Sequence, residues 1–155
     1  MEYGSIEREL HIEAAPEIVY EVLSTPEHLR EWWPDDAELG AAVPGATGSI
    51  TFGDPAGPDA KVEAITVVEA DPPRRFAFRW VYDDGAEATA GNSLLVTFDL
   101  EPSGTGTRVR FRETGFRERG WEAAVLEEMY RGNVAGWDHF LPRLVAYVDR
   151  LVSAP

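Results

Sequence analysis

The chain has 155 residues, 44% hydrophobic and 27% charged, with no internal repeat, so one domain over residues 1–155 is expected, large enough to bury a core without covalent staples. Fourteen basic against 28 acidic residues leave a formal net charge of -14, a field that repels phosphate backbones and anionic lipid and makes nucleic acid a poor partner. Cysteine is absent, which excludes disulfides, thiolate metal sites and a cysteine nucleophile, and no stretch approaches the roughly 18 apolar residues of a membrane span.

Ser5 to Glu13 alternates, with Ile6, Leu10 and Ile12 on one face and Glu7, Glu9, His11 and Glu13 on the other, interrupted only by Arg8. This is the pattern of a half-buried first strand. Ala14-Ala15-Pro16 breaks it, and Pro16 suits the first turn of a helix carrying Ile18, Val19, Val22 and Leu23 on one side. Ser24-Thr25-Pro26 stops that helix. A second short helix, about Pro26 to Trp32, ends at Trp32-Trp33-Pro34, because a residue before proline is pushed out of the helical region.

Asp35 to Thr47 reads as a loop or irregular edge strand, and Gly48 to Gly53 as a strand carrying Ile50 and Phe52. Asp54 to Asp59 has the chemistry of a turn. Strands follow at about Ala60 to Ala70, Arg74 to Tyr82, Asn92 to Glu101 and Thr107 to Glu113. Between them lie turns at Asp71-Pro72-Pro73, Asp83-Asp84-Gly85 and Ser103-Gly104-Thr105-Gly106, so close a spacing that an antiparallel meander is expected.

From about Gly120 to Leu151 an apolar stripe of Leu126, Met129, Tyr130, Val134, Trp137, Leu141, Leu144, Val148 and Leu151 marks one long helix. Such a stripe cannot bury itself, so the helix must lie across the sheet. Pro142 sits inside it, where a kink or break is expected, and Gly132 and Gly136 weaken the same stretch by up to about 1 kcal/mol each relative to alanine. Two explanations compete for the glycines: close approach of a bulky side chain or ligand, or bending around the sheet, and bending is preferred.

The order strand, two short helices, antiparallel strands, long C-terminal helix resembles the helix-grip fold of the SRPBCC superfamily, which includes START-type lipid-transfer domains and the birch-pollen allergen. Ile12 to Tyr20, Trp32-Trp33-Pro34, Pro72 to Trp80, Gly106-Thr107-Arg108-Val109 and Gly136-Trp137 resemble its activator of heat shock protein 90 ATPase-like branch. The resemblance implies an α+β fold, a curved antiparallel sheet of about six strands wrapped around the C-terminal helix. It also implies binding of a small hydrophobic molecule, the commoner property of the superfamily, or a chaperone-associated interaction.

Alternation puts Phe76, Phe78 and Trp80 on one strand face, Leu94, Val96, Phe98 and Leu100 on the next, and Val109 and Phe111 on the last. These residues either fill a core or line an apolar cavity. The candidate ligand-binding set is Trp33, Phe52, Phe78, Trp80, Phe98, Met129, Tyr130, Trp137 and Leu141. Among polar candidates, Arg79, Arg110 and Arg112 fall on the solvent side by alternation, while Tyr82 and Tyr130 carry phenols that need partners when buried.

No catalytic residue, metal site or cofactor is indicated. His11, His28 and His139 lack metal-ligand spacing, with His28 placed at the rim near Trp32 and Trp33, and Gly104-Thr105-Gly106 belongs to a hairpin rather than a phosphate loop. Asp35-Asp36 and Asp83-Asp84 read as solvated loop aspartates. Three functions follow in order: binding of a hydrophobic or amphipathic ligand between sheet and helix, a co-chaperone-like interaction, and a cyclase- or hydrolase-type enzyme. The enzyme requires a buried Asp, Glu, His or Tyr inside the cavity. A cytoplasmic protein is expected, with a homodimer conceivable through the first strand and Trp121.

Overall fold

The computed structural model describes residues 3–153 apart from 55 and 84, so Pro55 and Asp84 of the expected turns lie outside the described residues. Seven strands form one antiparallel sheet: β1 (Ser5–Ile12), β2 (Asp36–Leu39), β3 (Thr47–Phe52), β4 (Lys61–Asp71), β5 (Arg75–Trp80), β6 (Leu94–Ser103) and β7 (Gly106–Thr114). Their spatial order is β1-β7-β6-β5-β4-β3-β2. Two short helices, α1 (Pro16–Ser24) and α2 (Pro26–Trp32), follow β1, and α3 (Ala123–Ser153) closes the chain.

The seventh strand is β2, inside the stretch read as a loop or irregular edge. It pairs with β3 over four residues, too short for periodicity to announce it. Thr25 is extended between α1 and α2 because Pro26 follows it, and Trp33 ends α2 one residue before Pro34. Ile18 differs from its expected inward placing: it is exposed, and Val19, Tyr20, Val22 and Leu23 form the buried side of α1.

Register decides what faces the helices. Phe76, Phe78 and Trp80 of β5 stand beside Phe98, Val96 and Leu94 of β6, and Phe98 in turn beside Phe111 of β7. All are buried. The helices lie on this face: Tyr20 of α1 meets Phe76 edge-on at 5.9 Å, Trp32 of α2 meets Phe98 at 6.5 Å, and Trp137 of α3 meets Phe111 at 4.6 Å. Along α3, Trp137, Leu141, Leu144 and Val148 are buried. The helix continues through Pro142, whose side chain points to solvent while Leu141 and Leu144 on either side anchor it to the core.

Arg8, the one interruption in the apolar face of β1, has a tertiary partner. Its guanidinium forms a two-pronged ion pair with Asp138 of α3, at 2.8 and 3.2 Å, tying the edge strand to the helix and holding the Asp138 carboxyl below its usual range. On the opposite face of the sheet, charges alternate in sign across strands. Arg108 pairs with Glu101 at 2.9 Å and Glu9 at 3.7 Å, and Arg75 with Asp99 at 2.5 Å and Glu69 at 3.6 Å.

Gly48 is required where β2 meets β3, since a Cβ there would stand 2.1 Å from the carbonyl oxygen of Glu38. Gly48→Ala is expected to cost about 1–3 kcal/mol in urea denaturation and to accelerate hydrogen exchange in β2. Unchanged stability and exchange would show that β2 is not held by this close approach.

Candidate functional site

The polar centre of the fold is Glu113, fully buried near the end of β7. Strand alternation sends it inward with Val109 and Phe111. Three N–H groups converge on its carboxylate: Trp80 Nε1 donates to Oε2 at 2.7 Å, while Asn133 Nδ2 and Trp137 Nε1 donate to Oε1 at 2.9 and 3.0 Å. Trp80 comes from β5, and Asn133 and Trp137 are one turn apart on α3. Burial raises the Glu113 pKa above the usual carboxylate range, and the three donors act in the opposite direction.

Most of the space between sheet and α3 is occupied by rings. Trp33 lies 5.1 Å from Trp137, 5.2 Å from Trp80, 5.5 Å from Phe78 and 6.0 Å from Phe52. What remains is a cleft of about 60 Å³ at the edge of this stack, lined by Trp33, Phe52, Trp80, Gly132, Asn133, Gly136, Trp137 and Phe140. It is open to solvent. A Cβ on Gly132 or Gly136 would meet nothing within 4 Å, so the glycines leave the α3 backbone bare along one wall. Wider depressions of about 480 and 610 Å³ lie over the charged face of the sheet, around Arg75, Asp99 and Arg110.

Four of the sequence-derived ligand candidates, Trp33, Phe52, Trp80 and Trp137, therefore meet at one cleft. Phe78, Phe98 and Leu141 are buried in the core behind it. Met129 is half-buried one turn before Gly132 and Asn133. Tyr130 faces β1: it packs against Tyr3 and Phe116, both at 5.3 Å, and its phenol donates to the Ser5 carbonyl at 2.8 Å.

The other polar candidates also have local partners. Tyr82 shares a 2.5 Å hydrogen bond with Thr66, and Arg79 donates to Ser93 and the Thr89 carbonyl at 3.4 Å. Arg110 and Arg112 are exposed on the charged face. His28 Nδ1 lies 2.6 Å from the Tyr147 hydroxyl of α3, and His139 packs on Phe140 at 4.9 Å. Asp35 accepts from the Gly53 amide at 2.6 Å and Asp36 from Arg30 at 2.9 Å. No group of three or more metal-ligating side chains occurs among the described residues.

Sequence reasoning missed Glu113, Asn133 and Phe140. A signal for Glu113 existed, because it shares the face of Val109 and Phe111, and an acid on an apolar strand face must find donors inside. Asn133 stands four residues before Trp137 and thus one turn away on the same helix face. Nothing in the sequence showed that both would reach one carboxylate.

This architecture, with a sheet and long helix enclosing a ring-lined cleft, is that of the SRPBCC helix-grip class. Residues 13–149 match the family described as Activator of Hsp90 ATPase homolog 1-like protein, and the chain belongs to that family. Among solved structures it is similar to protein MLL2253 from Mesorhizobium loti, with 24% identity, 94% of this chain and 97% of that one covered, and a TM-score of 0.72. The Aha1 dimer from Colwellia psychrerythraea matches with 26% identity, 93% and 95% coverage and a TM-score of 0.67. CalU16 from Micromonospora echinospora matches at 17% identity, 99% and 83% coverage and a TM-score of 0.63. No curated protein matches the sequence.

Because the folded Glu113 carboxyl holds its proton to higher pH than the unfolded one, the unfolded chain ionises first as pH rises. The contribution of Glu113 to stability therefore falls from the unfolded value near 4.5 up through the raised folded value, then levels off. Glu113→Gln is expected to remove this slope in urea denaturation above about pH 4.5, and to cost about 1–3 kcal/mol at neutral pH by setting an amide N–H₂ among indole donors. Identical pH slopes in the two proteins would refute the assignment.

Proposed function

We propose that the protein binds a small hydrophobic or amphipathic molecule in the cleft between α3 and strands β3 and β5. The observation that carries this reading is the wall without side chains: Gly132 and Gly136 expose helix backbone opposite Phe52 and Trp80 of the sheet, with Phe140 one turn further along α3, a slot suited to a flat apolar group. Filling the slot with protein atoms would have needed only a longer side chain such as leucine at those positions, which helices prefer to glycine.

The cleft is smaller than the roughly 300–1,000 Å³ of a drug-sized site. A ligand therefore enters by displacing a ring. Trp80 and Trp137 are tied to Glu113, whereas Trp33 is held by ring contacts and makes no side-chain hydrogen bond among the described residues. Trp33 is the wall that yields. Binding is favoured over catalysis because the buried acid that an enzyme reading needs already spends both oxygens on protein donors and is fully buried. It fixes the walls rather than touching a ligand.

The description of the family as activator homologues, together with the acidic charge, supports a second reading, a co-chaperone-like interaction with a heat-shock ATPase. The dimer formed by the Colwellia relative supports self-association, and the outer edge of β1 at the end of the sheet is a surface that could mediate it. Equilibrium sedimentation should then return twice the 17.2 kDa chain mass; a monomer at all concentrations would end that part of the proposal.

Titration with 2-naphthamide should quench tryptophan fluorescence, since three indoles wall the cleft, and ligand at 100 times its Kd should add about 2.7 kcal/mol of stability. Gly136→Leu should weaken binding by about tenfold or more while stabilising the unliganded helix by up to about 1 kcal/mol. No quenching by naphthyl compounds, or full binding by the leucine variant, would overturn the site.

A further inference from the structure

The wall of the cleft contributed by α3 is made of two neighbouring rows at four-residue spacing. Gly132, Gly136 and Phe140 form one, and Asn133 and Trp137 form the other, on the side turned to Glu113 of β7. The bare slot at the glycines is therefore bordered by an amide. Indoles apart, Asn133 is the sole residue lining the cleft that has a polar side chain, and no charged side chain lines it.

The N–H groups of Trp80 and Trp137 are taken up by Glu113. Asn133 keeps one end free. Its Nδ2 donates to Glu113 Oε1 at 2.9 Å, an oxygen that also accepts from Trp137, so the amide is held with its nitrogen towards the carboxylate and its carbonyl oxygen away from it. No group among the described residues donates to that Oδ1, and the oxygen is open to solvent rather than sealed in the core, Asn133 being half-buried. Hydrogen bonds in a chain polarise one another, so an amide that gives an N–H to a carboxylate presents a stronger acceptor at its other end. A ring that fills the slot strips Oδ1 of water, and an acceptor so stripped has to be answered by the ligand.

We propose that the cleft selects a neutral aromatic molecule carrying a hydrogen-bond donor, a hydroxyl or N–H at the ring edge, with its ring between the glycines and the Phe52 and Trp80 rings and its donor on Asn133 Oδ1. This rests on the binding reading above and adds the chemistry of the ligand's polar end. Asn133 then works at both ends: its nitrogen helps to satisfy Glu113, and its oxygen reads the ligand. Leucine there would leave Glu113 one donor short, and aspartate would set two carboxylates side by side.

The test compares three probes of one ring system on the full chain at about pH 7, where a phenol is neutral: 2-naphthol, 2-methoxynaphthalene and naphthalene, followed by tryptophan fluorescence and calorimetry. The naphthol should bind about three- to tenfold more tightly than its methyl ether, which keeps the oxygen but loses the donor. In isotope-labelled protein the Asn133 side-chain amide signals should shift more with the naphthol than with naphthalene. In Asn133→Ala the ratio of naphthol to ether affinity should fall towards one; because this variant also takes a donor from Glu113, the labelled wild-type protein supplies an arm that needs no substitution. Equal affinity for naphthol and ether, tighter binding of the ether, Asn133 signals that respond no more to naphthol than to naphthalene, or a ratio unchanged in a folded Asn133→Ala would overturn the donor assignment while leaving the binding site in place. Failure of all three probes to bind would overturn the binding reading itself.

Discussion

Everything in the interior is arranged around one buried carboxylate and its three N–H donors. Moving an unpaired carboxylate out of water costs several kcal/mol even after relaxation, so Glu113 is tolerable only with its oxygens occupied. The partners come from β5 and α3, which are distant in sequence from each other. Satisfying Glu113 thus sets the rotation of α3 about its axis and its position along the sheet, because Asn133 and Trp137 must both reach the same oxygen. An apolar stripe alone would tolerate several rotations.

That constraint divides the tryptophans into two kinds. Trp80 and Trp137 are hydrogen-bonded and oriented, whereas Trp33 at the end of α2 is held against both by edge-on and tilted ring contacts. With α3 fixed by Glu113 on one flank and by the Arg8 to Asp138 ion pair on β1, the helix is firmly seated along the β1 and β7 side. The other flank, toward β3 and β4, is where Gly132 and Gly136 leave space. On that side α3 meets β3 through Phe52 and Phe140 at 6.1 Å, and the cleft opens beside this contact.

The charged face of the sheet follows a different rule. Its arginines and carboxylates are largely exposed, and pairs of this kind contribute about 1 kcal/mol or less each. Their more secure effect is on solubility and edge specificity: β1 presents charge on one side and a helix contact on the other. At the cleft edge the sheet carries one charge of each sign, Lys61 opposite Phe52 and Glu63 beside it.

Much of this was legible in the residues. Period-two alternation placed β5, β6 and β7, proline positions bounded α1 and α2, and the stripe from Leu126 to Leu151 announced α3, since each signal is local and repeats over several turns or residues. The short β2 was not clearly marked, because four residues carry too little pattern, and the interruption at Arg8 had no visible cause until Asp138 stood above it. Strand alternation puts Phe76, Phe78 and Trp80 on one face, and the structure buries them with Phe98, but which rings border open space and which fill the core depends on the rotation of α3.

The amino-acid order by itself determined the element sequence, the apolar faces and the absence of cysteine chemistry, because these depend on neighbours a few positions apart. Only the tertiary structure decided that Glu113 gathers Trp80, Asn133 and Trp137, that Tyr130 bonds to Ser5 rather than facing the cleft, and that the helical glycines border solvent. Those facts depend on register and helix rotation across 20 or more residues of separation, and both are chosen by the collective satisfaction of buried polar groups and rings rather than by any local propensity.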